Sequence, residues 1–224
     1  MRIHYTCPYW GLEHLTADTF INKVLAEGYD GIEINIPEEK KFTDGFYRKI
    51  DLLKETEKKD FIFIAQQVLP PAIETVEEYI KRMTMRFDFL TACKPDFINS
   101  HTGKDYFSFD DNCRIIEAVM NISAKSGIPV LHETHRGRFT FHAPGLLPYL
   151  SRFPEMQLVA DFSHWCTVSE SMLQEPQDIL EEIIPHISHI HARIGHEHCP
   201  QVNDPFVPEW EQHLALFISW WKKV

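Results

Sequence analysis

The residues best equipped for chemistry stand at the ends of short apolar runs. Ile128-Pro129-Val130-Leu131 leads into His132-Glu133-Thr134-His135-Arg136, Leu158-Val159-Ala160 leads into Asp161-Phe162-Ser163-His164, and His189-Ile190-His191 leads into Ala192-Arg193. Glu133, Asp161 and His191, with His164 three residues beyond Asp161, make a mixed oxygen and nitrogen donor set. Such a set suits a divalent metal: Mn²⁺, Zn²⁺, Co²⁺ or Mg²⁺. Each residue taken singly is equally well explained as a capped turn or a strand-end ion pair. Their recurrence after three successive apolar runs is what favours a metal centre. Other chemistries fit less well. His132-Glu133-Thr134-His135 is not H-E-x-x-H, because the second histidine comes one residue too early and the segment ends a strand. No G-x-S-x-G elbow is present to support a serine nucleophile. His196-Glu197-His198-Cys199 lies among turn formers and reads as a loop before it reads as a ligand set, and Cys166 reads as a small buried apolar residue.

A short apolar run between turn signals is the pattern of a strand buried on both faces of a parallel sheet. Such runs occur at 3–7, 29–36, 60–65, 97–101, 128–133, 157–161 and 187–194. Segments of helical period separate them, at 19–27 (Asp18 as N-cap), 46–59, 75–93, 109–126, 146–153, 178–184 and 209–221. Seven strand-helix alternations with short connections imply an α/β fold with parallel strands and right-handed crossovers. Of the two candidates, a doubly wound sheet lacks the G-x-G-x-x-G turn of its nucleotide-binding form. Polar residues at the C-terminal ends of the strands fit a (β/α) TIM barrel, whose active site forms on that face. We expect one barrel domain over residues 1–224. A full barrel has eight units and roughly 250 residues; seven units are visible here, and the eighth is expected to be missing.

Composition narrows the partners. The 224 residues carry a formal net charge of −11, which argues against nucleic acid and for a small polar substrate. No run reaches the roughly 18 apolar residues of a membrane span, and the opening residues lack the apolar core of a signal peptide. Five cysteines, an odd number without a C-x-x-C pair, suggest reduced thiols and a cytoplasmic location. An open sheet edge would favour a homo-oligomer.

Taken in order, Gly28-Tyr29-Asp30-Gly31-Ile32-Glu33, Asn99-Ser100-His101-Thr102-Gly103, His132-Glu133-Thr134-His135-Arg136-Gly137-Arg138, Asp161-Phe162-Ser163-His164 and His189-Ile190-His191-Ala192-Arg193-Ile194-Gly195 resemble the xylose isomerase-like TIM barrel superfamily. The sugar phosphate isomerase/epimerase group is the most similar branch, and Pro200-Gln201-Val202-Asn203-Asp204-Pro205 followed by Pro208-Glu209-Trp210 also resembles it. The resemblance implies a metal-dependent barrel that moves protons on sugars or sugar phosphates through an enediolate. In epimerase members a Glu, an Asp, a His and a second Glu, after strands five to eight, hold the metal, and the two Glu residues serve as acid and base. Glu133, Asp161 and His191 match the first three, and the fourth has no counterpart in this sequence. Glu133 is thus expected as ligand and base, with His164 beside the metal. His101, His135, Arg193 and Glu33 are expected to bind substrate, Arg193 through a phosphate or carboxylate. Trp10 and Trp165 are candidate walls for a sugar ring. His132 should face away from Glu133, because successive strand residues alternate. Two alternatives stay open: a degenerate barrel that binds a small polyol without catalysis, and a phosphodiesterase of the endonuclease IV type. The latter is disfavoured by the charge and by Asn203-Asp204-Pro205 where a D-x-H pair would be needed.

Overall fold

The computed structural model describes residues 3–58, 60–174 and 177–224. Met1 and Arg2 of the opening stretch, and Lys59 at the expected end of the second helix, lie outside the described residues. The strands are β1 (Thr6–Pro8), β2 (Gly31–Ile34), β3 (Ile62–Gln67), β4 (Phe97–Ser100), β5 (Val130–Glu133), β6 (Gln157–Ala160) and β7 (Ile187–Ile190). The helices are α1 (Ala17–Ala26), α2 (Lys40–Leu52), α3 (Val76–Ala92), α4 (Phe109–Ser126), α5 (Ala143–Arg152), α6 (Phe162–Ser169), α7 (Gln177–Ile183) and α8 (Glu211–Trp221). The hydrogen-bonded strand order follows the chain, β1 to β7. All seven expected strands form, each within a few residues of its expected place. No described helix is long and apolar enough to cross a membrane.

The chain forms two compact units, residues 1–99 with 120–130, and residues 100–119 with 131–224. In the first, β1, β2 and β3 pair in parallel, with Cys7 opposite Ile32 and Ile32 opposite Phe63. All four residues of β2 are buried, as expected of a strand covered on both faces. Phe20, Val24, Phe46, Phe63, Met83 and Phe87 fill its core, and the rings of Phe46 and Phe63 meet edge to face at 5.2 Å. In the second, β5, β6 and β7 pair in parallel. Leu131, Leu158, Val159, Phe162, Trp165 and Trp220 are buried there, with Phe162 and Trp220 5.5 Å apart. A register shift between Leu158 and Val159 places Val159 opposite His189. Bulges of this kind re-aim the side chains that follow them.

Local chemistry accounts for the helix boundaries and for three departures from expectation. Thr75 and Glu78 close α3 with a reciprocal capping box. Thr16, not Asp18, caps α1, accepting from the Thr19 N–H, while Asp18 sits in the first turn where the helix dipole favours an anion. α2 begins at Lys40, six residues before the expected start at Phe46, and passes into a π-helical turn at Leu53–Glu57. α6 was not expected at all; its first five residues are all buried, so no polar face marked its period.

Gly31 permits the close approach of β2 to β3. A Cβ there would lie 2.2 Å from the Ile62 carbonyl oxygen and 2.6 Å from the Ile62 Cβ. Gly31→Ala should therefore lower stability by about 2 kcal/mol or more, read as a drop in the urea midpoint. An unchanged midpoint would mean that the two strands are not this close.

Candidate active site

Every expected site residue except Glu33 and Trp10 falls in the second unit. Glu33 lies in the first, where it is buried and accepts a hydrogen bond from Asn99 Nδ2 at 2.7 Å. Glu133 ends β5 and is 3% exposed. A carboxylate this deep needs partners for its charge. His101, just after β4, supplies one with Nε2 at 2.8 Å, and His191, just after β7, stands on the other oxygen with Nδ1 at 3.5 Å. Burial pushes the Glu133 carboxyl up, but attraction to His101 and His191 overcomes it and holds the group well below the usual carboxylate range. Glu133 is accordingly an anion at neutral pH.

Asp161 follows β6 and is equally buried. Its Oδ1 caps α6, accepting from the Ser163 N–H at 3.1 Å and from the Ser163 hydroxyl. Its Oδ2 is paired with Arg193 Nη2. Burial raises its carboxyl above the ordinary value against the pull of Arg193. The helix cap also fixes His164, which lies one turn into α6 on the same face with Nε2 3.7 Å from Asp161 Oδ2. Arg193 reaches both residues through a tight turn in which its own N–H donates to the His191 carbonyl at 2.8 Å. Its Nη2 donates to His164 Nε2 at 2.7 Å.

Three imidazoles line up above the carboxylates. The His135 ring stands 4.3 Å from His101 and 3.9 Å from His164. Burial first, then the neighbouring His101, lowers His135 to about 4. Burial first, then His135 and Arg193, lowers His164 to about 2. Both rings are neutral near pH 7, so each keeps one nitrogen lone pair beside its N–H, the form a metal requires of histidine.

Within the second unit, two groups of described residues meet the geometry of a cation site, each with ligand atoms within 4.8 Å of one another: Glu133, Asp161 and His164, and Glu133, His101 and His135. The first joins three of the four expected ligands, and the fourth, His191, stands against Glu133. The second is formed by two residues expected to meet substrate. The buried carboxylate and neutral imidazole donors fit a divalent metal such as Zn²⁺ or Mn²⁺. His196, Glu197, His198 and Cys199 join no such group among the described residues. There the His196 N–H bonds the Cys199 carbonyl and its ring stacks on Trp210, so the segment is a closed loop.

Sequence reasoning missed the residues that hold this site in place. The Thr134 hydroxyl accepts from the Asp161 N–H at 2.8 Å and donates to the Asp161 carbonyl at 3.1 Å, extending the β5–β6 ladder one step with a side chain. Thr140 accepts from the His135 N–H at 3.2 Å and donates to the Glu133 carbonyl, while Trp165 Nε1 donates to the Thr140 carbonyl at 2.8 Å. Trp165 is thus a buried support, whereas Trp10 is 65% exposed. His132 does face away from Glu133, bonded through Nδ1 to Thr102 Oγ1 at 2.7 Å. A sequence signal existed only for Thr134, which adjoins Glu133.

No protein-family model matches the chain, and no curated protein matches it. Solved structures do. A D-tagatose 3-epimerase-like protein superposes with a TM-score of 0.69 at 13% identity, over 95% of this chain and 86% of its own. The likeness is one of fold, α/β of the (β/α) TIM-barrel type. The IOLI protein, whose crystal structure contains a zinc atom, matches this fold with a TM-score of 0.66 at 10% identity, over 99% and 96% of the two chains. AsbF of Bacillus anthracis, described as a probable 3-DHS dehydratase of petrobactin synthesis, matches at 0.64 and 20% identity over 92% and 78%.

Two outcomes follow. Thr134→Val leaves the buried Asp161 N–H without its partner and should cost about 1–3 kcal/mol of stability, while Thr134→Ser keeps it; equal urea midpoints for Val and wild type would contradict the role. Burial pushes the Cys166 thiol up to about 12, so iodoacetamide should leave it unmodified until the chain is unfolded. Ready alkylation of Cys166 in the native protein would contradict its placement.

Proposed function

We propose that the chain is a divalent-metal-dependent isomerase or epimerase that moves a proton on a sugar or sugar phosphate through an enediolate. The observation that carries the reading is the buried, ionised Glu133, flanked by His101 and His191 and common to both donor groups. The fold supports it: the solved structures that share the fold include proteins described as an epimerase-like protein, a dehydratase and a zinc-containing protein.

A bound metal, held by Glu133, Asp161, His164 and His191, would polarise the substrate carbonyl and favour the enediolate. The chain's own residues do the rest. Glu133 takes the proton next to the carbonyl. Its depressed pKa keeps the basic form fully populated at neutral pH but lowers its proton affinity, so it works only on an acidified C–H. His101 Nε2, 2.8 Å from Glu133 Oε2, gives that proton a way back to the substrate. His135, neutral and beside both His101 and His164, binds substrate hydroxyls. The buried floor of the site keeps water from the carbanion. The substrate is a small polar molecule, not a nucleic acid.

The reading is tested by solvent exchange. With Mn²⁺ present in D₂O, one member of a panel of ketoses and their phosphates should lose its α-proton signal in the NMR spectrum. Glu133→Gln should slow that exchange by about a thousandfold, the scale of general-base catalysis. Exchange that persists in the variant would remove Glu133 as the base; no exchange with any panel member would remove the sugar reading.

A further inference from the structure

The Asp161–His164 half of the site already contains a cation. Arg193 Nη2 is paired with Asp161 Oδ2 and donates to His164 Nε2 at 2.7 Å. These atoms belong to two of the three residues in the buried Glu133–Asp161–His164 donor group. Asp161 has no other oxygen to offer, because Oδ1 is committed to the Ser163 N–H and hydroxyl at the start of α6. His164 accepts from Arg193 only with its Nε2 lone pair, which places its proton on Nδ1; that nitrogen is buried and has no hydrogen-bond partner in the structure. The guanidinium thus occupies Asp161 Oδ2 and fixes His164 in the tautomer that a metal on Nε2 would need. A guanidinium and a divalent ion are both cations and cannot use the same lone pairs, so each excludes the other from this half of the site.

Arg193 is also placed to leave. It is the last residue of the tight turn after β7, and its side chain is 22% exposed, against 1% for Asp161 and 2% for His164. Its partners are rigid, one capping a helix and the other lying one turn into it. A long side chain on a turn can swing out into solvent far more readily than a helix cap can move.

We propose that Arg193 is an internal stand-in for the metal: it neutralises the Asp161–His164 half of the site in the metal-free chain and is displaced when a divalent ion binds. The inference rests on the metal reading given above. Its consequence is that the wild-type chain binds metal in competition with its own side chain, so the apparent affinity is weaker than the donor set alone would give.

Calorimetric titration of the full chain with Mn²⁺ tests it. Arg193→Gln should bind Mn²⁺ at least tenfold more tightly than wild type, and Arg193→Lys, which keeps a cation, should recover less than half of that gain. Equal or weaker binding by Arg193→Gln would overturn the proposal and leave the metal reading intact. Absence of binding by both proteins at millimolar Mn²⁺ would overturn both. A second measurement needs no variant. Phenylglyoxal labelling of Arg193, located by peptide mass spectrometry, should rise at least threefold in wild type on saturation with Mn²⁺, and unchanged or reduced labelling would equally overturn the proposal.

Discussion

A carboxylate 3% exposed has to be answered by charge or by hydrogen bonds, and the second unit is arranged to answer Glu133. His101 comes from the end of β4 and His191 from the end of β7, so residues far apart in the chain meet on one side chain. Removing either would leave a buried anion short of a partner. The strand ends after β4, β5, β6 and β7 are therefore linked through Glu133, Asp161 and Arg193, and the same links that satisfy buried charge create the donor geometry of a cation site.

Most of the polar neighbours serve this arrangement by fixing backbone. Thr134 continues the β5–β6 ladder where the main-chain bonds stop, and Asp161 is held both by that hydroxyl and by its role as the cap of α6. Thr140 and Trp165 hold the segment that carries His135. Sites built on rigid elements keep their geometry within the narrow tolerance that chemistry needs. The neutral state of His135 and His164 follows from the same burial. Charging His164 would place a second cation beside Arg193, and charging His135 would place one beside His101, so both remain available as acceptors or ligands.

The sequence was legible where side-chain type and local period coincide. Apolar runs at 60–65, 128–133, 157–161 and 187–194 announced β3, β5, β6 and β7, and the polar residues ending the last three are the ones the sequence offers as a ligand set, Glu133, Asp161, His164 and His191. It was not legible where one residue type serves two purposes. Asp161 reads as a metal ligand, a helix cap or an ion-pair partner, and the fold makes it a cap through Oδ1 and an ion-pair partner through Oδ2. Arg193 reads as a hook for a substrate anion, and only the three-dimensional arrangement puts it on Asp161. His101 carries no spacing that ties it to Glu133, because 32 residues separate the two. α6 escaped notice because a short, fully buried start leaves no amphipathic pattern to read.

The account turns on whether a divalent ion sits at Glu133. Anomalous diffraction from crystals of the protein grown with Zn²⁺ and recorded at the zinc edge locates the ion directly. We expect a single strong peak within about 2.0–2.2 Å of a Glu133 oxygen, with Asp161 and His164 in its coordination shell. A peak at the His196–His198 loop, or no peak within coordination distance of Glu133, would contradict it.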